Sequence, residues 1–428
     1  MSRAPKSPVR QRRALSMPRA PGRITADGLP RSVDGLVAAL RAPHEDEIIG
    51  DSLTHPFHSY PARLHPAMAR VLINVVGGTA PHNAPMVDPF CGSGTSLVEA
   101  RACGWPSVGT DLNPLAVLVA RAKTWTVASR TRQQTRDLGH RIANQVREAG
   151  KAARRSGAEA APMRKPAGFD PNARNRRLAA WFAPHVRREL EHLAGAIDEL
   201  RVDDHQVADV LTACLSAILY KVSSRMSDTN GQWIDRNIAR GAATRHFDQR
   251  VELLFEGLAD LSEVQGARPE IVEIDARRLA EIVPDGTAGG VVTSPPYAGT
   301  YDYAEHQRLR FDFLGLRHRD FDDREIGARR SFEKDQGAAV EAWHRALGET
   351  LDAITRVLHP GCAAAIVIGD SVARGVAHYA LDDVRAALSG DLVLEAWASQ
   401  ERPMLGGIEH RAFGERHKAE HIILLRRV

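Results

Sequence analysis

At 428 residues, with 43% hydrophobic and 26% charged, the chain has the composition of a soluble globular protein with room for a large α/β core and one further module. No apolar run approaches the ~20 residues that a bilayer crossing needs, so no membrane partner is expected. Cys91, Cys103, Cys214 and Cys362 are scattered without CxxC spacing, which argues against a zinc site or a disulfide framework and suits a reducing cytoplasm. The net charge of +4 conceals two basic tracts: residues 1–26 carry seven Lys/Arg and no acid, and residues 130–177 carry thirteen against four acids. Clustered positive charge attracts polyanions, nucleic acid first among them, although each tract alone is equally readable as a solvated face.

In chain order, Ser2–Ile24 is rich in Arg, Pro and Ser and reads as a disordered tail. His55, His58 and His65, in and just before Phe57-His-Ser-Tyr-Pro-Ala-Arg-Leu-His-Pro66, read as surface and loop histidines. No carboxylate or cysteine spacing completes a metal site with them, and no metal is expected. A short apolar run, Met86-Val87, then leads into Asp88-Pro-Phe-Cys-Gly-Ser-Gly-Thr95. Small residues after a strand let the backbone approach a ligand closely, and the amides of the next helix suit a carboxylate or phosphate. That helix, Ser96–Ala102, carries a Ser-x-x-Glu capping box and stops at Gly104. A second strand, Ser107–Thr110, ends at Asp111, where a carboxylate can accept bonds from both ribose hydroxyls. A nicotinamide fingerprint is incomplete, since Leu97 stands where the third glycine of G-x-G-x-x-G belongs.

The strand pattern then disappears for some 160 residues. Helical periodicity covers Gln133–Ala149, Arg176–Leu200, Val207–Tyr220 and Phe247–Leu261, with an exposed linker around Ser156–Asp170. A stretch of that length with amphipathic helices is a module and not a loop. Within it, Tyr220–Trp233 is a hydroxyl-rich stretch containing Lys221, Ser223, Ser224 and Arg225, residue types that meet phosphates and base edges but equally make a capped connection between helices. Arg236, Arg240 and Arg245 follow it.

Strands resume at Ile271–Ile274, followed by Asp275, and at Gly290–Thr293, followed by Ser294-Pro-Pro-Tyr297. Asp275 can also be read as a helix N-cap, and the Pro-Pro turn as purely structural. Beyond it, Tyr301, Tyr303, Arg308 and Arg310 interleave aromatic and basic groups that could stack on bases and touch phosphate, while Leu309, Phe313 and Leu316 repeat at helical spacing and suit core packing. A helix over Trp343–Leu358 stops at His359-Pro-Gly361, and the remaining strands are Ala363–Ile368, Leu392–Trp397 and His421–Leu425. Seven strands alternating with helices predict an α/β fold built on a mostly parallel, doubly wound sheet.

These motifs in this order resemble the S-adenosylmethionine-dependent DNA amino-methyltransferases, and above all the cytosine-N4 branch with its Thr-Ser-Pro-Pro-Tyr sequence. The resemblance covers residues 55–120 and 270–428. It implies the class I methyltransferase Rossmann-like fold, seven-stranded, and says little about the helical tracts, residues 121–267, which read as a large insertion into the sheet. It also implies S-adenosylmethionine as cofactor, with the Asp88–Thr95 loop (Asp88, Phe90, Gly92, Gly94, Thr95) along its methionine part, Asp111 on the ribose, Asp275 on the adenine amino group and Tyr60 closing the pocket. Ser294, Pro295, Pro296 and Tyr297 would be catalytic.

The chemistry fits these residues. An exocyclic base amine is a poor nucleophile because its lone pair is delocalised. Acceptors such as Ser294 Oγ and the Pro295 carbonyl near its N–H groups free that pair, and the prolines stiffen the turn. Tyr297 offers a stacking face worth about 1–3 kcal/mol, the order of the cost of flipping a base from a duplex. Cytosine-C5 chemistry needs a cysteine where Tyr297 stands. The expected organisation is a basic tail (1–26), a first core part with the cofactor motifs (27–120), the insertion as nucleic-acid recognition module (121–267) and a second core part with the catalytic motif (268–428). In the familiar layouts of the family the recognition segment lies elsewhere. The expected substrate is duplex DNA, with a restriction endonuclease as a conceivable cognate partner. An adenine-N6 or RNA base-amine methyltransferase, and an inactive nucleic-acid-binding relative, are the alternatives.

Overall fold

The computed structural model of the chain describes all residues except 1–21, 47, 157–177, 226–231, 235, 265, 405 and 415. Most of the basic tail, the expected linker after Ser156, the first two residues of the expected Arg176–Leu200 helix and residues 226–231 of the hydroxyl-rich stretch therefore lie outside the described residues.

Among the described residues, ten strands form an eight-stranded sheet and a small hairpin. They are β1 (Ile24–Gly28), β2 (Met86–Asp88), β3 (Ser107–Asp111), β4 (Glu270–Glu273), β5 (Gly290–Thr293), β6 (Ala363–Gly369), the hairpin β7 (Ser371–Ala373) and β8 (Val376–His378), then β9 (Leu392–Glu401) and β10 (Ala419–Arg427). The main sheet runs β1-β9-β10-β6-β5-β2-β3-β4. From β4 to β6 every pairing is parallel, whereas β10 lies antiparallel between β6 and β9. This is the class I methyltransferase Rossmann-like arrangement with one strand added. All seven strand candidates are present. The eighth, β1, begins inside what the sequence suggested was tail: Ile24 pairs with Gln400 and Gly28 with Ala396. Its alternation of half-buried and exposed residues is short and weakly apolar, so the partner strand, not the local sequence, holds it in place.

The central strands are buried on both faces, which is why β5 and β6 read as unbroken small and apolar runs. Helices α1 (Pro30–Glu45) and α2 (Pro66–Gly77) cover one face through Leu36, Leu40, Met68 and Leu72. Helix α3 (Thr95–Ala102) follows β2, and α4 (Pro114–Lys123) follows β3. The capping box predicted for α3 does not form. Gly94 is its N-cap, the Ser96 hydroxyl bonds Asp88, and Glu99 is buried between His55 (2.6 Å) and Arg70 (2.6 Å).

Between β3 and β4 stand α5 (Ser129–Ser156), α6 (Pro184–Leu200), α7 (His205–Ser216) and α8 (Ala242–Ser262). Their apolar faces share one core with α4, with Phe57 and Tyr60, and with α9 (Tyr303–Leu314). The insertion is thereby seated against the segments that flank the expected site. At 1.5–3 kcal/mol for each fully buried large apolar side chain, this shared core is a strong attachment. Part of the basic tract is paired at the edge of this core, where Arg136 meets Glu252, and His140 bonds Asp248 at 2.7 Å. After α9 come the short α10 (Arg319–Arg324) and α11 (Arg329–Lys334). The long α12 (Gln336–Val357) and α13 (Ala380–Ala387) pack on the sheet's second face, and α14 (Gly407–Ala412) precedes β10. No helix of the described residues is long and apolar enough to cross a membrane.

Candidate active site

Strands β2 and β5 are parallel neighbours at the point where the sheet's winding reverses, the position at which such sheets present a crevice. The loops after them, Asp88–Thr95 and Ser294–Tyr297, are therefore adjacent although 200 residues separate them in sequence. Asp88 joins them. Its Oδ1 accepts from Thr293 Oγ1 (2.6 Å) and Phe90 N (3.1 Å), and its Oδ2 from Ser96. Burial pushes this carboxyl up to about 6, against the three bonds that favour ionisation. Asp88 thus positions the two loops, and its side chain does not line the cleft between them.

That cleft is walled by Tyr60, Phe90, Gly92, Asp111, Asp275 and Ser294, among others. Gly92 has φ +50° and Gly94 φ +77°, backbone conformations that L side chains resist. A Cβ at Gly94 would also stand 3.0 Å from that of Ala120. Asp111 Oδ2 accepts from Gly92 N (2.9 Å) and Oδ1 from Asn113 N (2.8 Å). Burial pushes this carboxyl up to about 7. Each oxygen keeps a second lone pair, which suits two adjacent hydroxyls. The Tyr60 hydroxyl accepts from Asn113 Nδ2 at 3.1 Å, so the upstream segment is tied to the loop that follows β3. Asp275 takes up the N-cap alternative: it caps the turn Ala276–Glu281 and binds Arg277 through both oxygens. Burial would raise its pKa, but the bonds to Arg277 outweigh that and hold it low. It still borders the cleft.

The three histidines are not on the surface as the sequence suggested. His55, His58 and His65 are buried, because Glu99, Ser216 Oγ and the start of α2 respectively give them partners. Desolvation holds His55 and His65 down at about 4. Thr95 is buried with its hydroxyl unbonded.

On the other side, Ser294 and Pro296 line the cleft and Pro295 is buried. Trp343 Nε1 donates to the Pro296 carbonyl at 3.1 Å and fixes the turn. The Tyr297 hydroxyl donates to Glu420 Oε1 (3.3 Å), whose other oxygen pairs with Arg402. Burial, then the Glu420 charge, raise the phenol well above its ordinary value. The Tyr297 ring packs on Gly369, where a Cβ would lie 2.8 Å from ring carbon Cε2. Gly369→Ala should therefore displace the ring in a protein that still folds, a shift that a crystal structure of the variant beside an unchanged circular-dichroism spectrum checks.

The proposed nucleic-acid contacts separate into two groups. Tyr303 borders the cleft itself, with Tyr301 at 5.4 Å between ring centroids. Lys221 is exposed, and the Arg225 guanidinium lies over the Trp233 ring at 4.7 Å. The rest are engaged elsewhere. Ser223 is buried and caps its own turn, bonding Tyr220 O and Arg225 N, and the Ser224 backbone is held by Trp181 O. Arg308 is held by Asp322 and His318. Arg310, grouped by sequence with the basic residues of a binding segment, is fully buried and bonds Ser216 O, Ser59 O and Gln307 Oε1. It joins the insertion, the Tyr60 segment and α9, because α9 turns that side chain inward.

Sequence reasoning missed the wall contributed by residues 321–326, where Glu325 accepts from Tyr303 N (2.6 Å) and pairs with Arg330. Those residues carry no motif. Asn113 was also passed over, although it lies two residues beyond Asp111 and caps α4.

Parts of the chain match known methyltransferases. Residues 56–158 match the model of the family described as UPF0020, RMKL-like, methyltransferase domain. Over 284 residues the chain is 29% identical to Type II methyltransferase M.MvaI of Kocuria varians, a match spanning 62% of this chain and 58% of that protein. Among solved structures, TrmN from Thermus thermophilus aligns over 85% of this chain and 49% of its own, with 12% identity and a TM-score of 0.33. The rRNA methyltransferase aviRa from Streptomyces viridochromogenes aligns over 86% of this chain and 88% of its own, with 11% identity and a TM-score of 0.28.

Proposed function

We propose that the chain is an S-adenosylmethionine-dependent methyltransferase acting on the exocyclic amine of a base flipped from duplex DNA, cytosine N4 in particular. The observation that carries this reading is the one cleft in which the Gly92 loop and Asp111 face Ser294 and Pro296, the two motif loops being tied by Asp88 to Thr293. The likeness to a type II methyltransferase supports it.

The cofactor supplies an electrophilic methyl group. Its fit is supported by the positive-φ glycines, by the spare lone pairs of Asp111 and by the unbonded Thr95 hydroxyl. The chain's own residues supply orientation. Ser294 Oγ and the Pro295 carbonyl accept from the amine, drawing it toward tetrahedral geometry so that its lone pair can attack. Tyr297, steadied by Glu420, stacks on the base and offsets the cost of its extrusion. We assign target recognition to the helical insertion, residues 121–267, where Lys221, Arg240 and Arg245 are exposed. A restriction endonuclease recognising the same site would be the matching partner.

The test is transfer of labelled methyl to duplex DNA, followed by digestion to nucleosides. N4-methylcytosine is the expected product. N6-methyladenine would move the specificity, label only in RNA would replace the substrate, and no label in either would defeat the proposal.

A further inference from the structure

The order of the sheet sets the cleft walls in a row. The Gly92 loop follows β2, Asp111 ends its neighbour β3, and Asp275 with Ala276 follows β4, the strand beyond. A nucleoside whose ribose meets the spare lone pairs of Asp111, and whose 5′ chain runs along the glycine loop, therefore turns its base toward the β4 side. The side chains that border the cleft there are largely apolar: Ala276, half-buried Leu112 and Ile326, and Phe321. Phe321 is 7% exposed and meets Phe311 of α9 edge to face, 6.3 Å between ring centroids at 72°. Leu112 packs against the same apolar cluster. Arg324, one turn after Phe321 and also on the cleft, stands near enough to Asp275 for its charge to act on that carboxylate, so α10 lies over the end of β4.

This wall is fastened in place. The Gly327 carbonyl accepts from Gly299 N (3.1 Å), the Tyr301 carbonyl accepts from Arg329 N (2.9 Å), and Glu325 accepts from Tyr303 N (2.6 Å) while pairing with Arg330. Residues 321–330 are thus tied to the chain that follows Tyr297. A preformed apolar slot suits a flat heterocycle, because little ordering is left for binding to offset.

We propose that Phe321 is a cofactor-binding residue which, with Leu112, holds the purine ring of the cofactor. This rests on the cofactor reading above. It draws one wall of the cofactor site from a stretch downstream of the catalytic motif, and the same stretch steadies the loop behind Tyr297.

5′-Methylthioadenosine keeps the purine and ribose and lacks the amino-acid part, so it isolates this end of the cleft. By calorimetry, Phe321→Leu keeps apolar bulk, loses the ring and should weaken this ligand about tenfold, the order expected for one aromatic face on a base, while Phe321→Tyr should stay within about twofold. Unchanged affinity in Phe321→Leu overturns the assignment. A direct readout separates contact from repacking. In protein deuterated except at phenylalanine, nuclear Overhauser contacts from purine H2 or H8 should reach a ring whose signal is missing in Phe321→Leu. If no such contact exists, or if all persist in the variant, the proposal falls while the cofactor reading stands. If the wild-type protein does not bind methylthioadenosine, the cofactor reading fails and this one with it.

Discussion

Tyr297→Ala should reduce methyl transfer to DNA by about ten- to a hundredfold while leaving S-adenosylhomocysteine binding within about twofold. Ring stacking on a base contributes about 1–3 kcal/mol, and flipping a paired base costs a few, so without the ring the extruded state is scarcely populated. The ring is held on three sides: its edge lies on Gly369, its hydroxyl bonds Glu420, and Trp343 fixes the carbonyl before it. None of these holds the cofactor loop, which is why binding and turnover should separate. Tyr297→Phe keeps the ring and loses the hydroxyl's bonds to Glu420 and Ser294, so its loss should be no more than about tenfold. Turnover is read as initial rate on a duplex and on the same site carrying a mismatch at the target base. Because a mismatched base costs less to extrude, the mismatch should partly rescue Tyr297→Ala. An alanine variant as active as wild type would remove the stacking role.

Much of the sheet was legible because its central strands are buried on both faces and must be apolar throughout, as Val291-Val292 and Ala363–Ile368 are. The two motif loops were legible for a different reason: close backbone approach requires Gly92 and Gly94, and a stiff turn requires Pro295 and Pro296. What could not be read was set by pairing across the fold. Strand β1 exists because β9 offers it an edge, and nothing in Ile24–Gly28 announces this. Glu99 had the spacing of a capping residue, yet His55 and Arg70 compete for its carboxylate and win. Arg308 and Arg310 alternate with tyrosines as a binding strip would, but helical geometry sends them to different neighbours, one to Asp322 and one into the core. Charge patterning gives composition, and only the helix face decides which cations reach solvent.

Asp111→Asn should weaken 5′-methylthioadenosine about a hundredfold and abolish the pH dependence of its binding. Both Asp111 oxygens accept a backbone N–H, from Gly92 and from Asn113, and each retains a lone pair at the cleft. An amide can satisfy only one of those N–H groups and turns its own donors on the other, so the loop loosens as the ribose acceptor is lost. Bonds to a charged group contribute about 1.5–3 kcal/mol, and removal of two gives the stated factor or more. The sign of the pH effect follows from which form binds. Hydroxyl donors favour the ionised carboxylate, and burial places its ionisation at about 7. Affinity for methylthioadenosine should therefore be level above pH 7 and fall toward tenfold per unit below it. S-adenosylhomocysteine carries the same ribose and should show the same acid limb. Asp111→Asn should remove that limb for both ligands, and an acid limb that persists in the variant would overturn the role of Asp111.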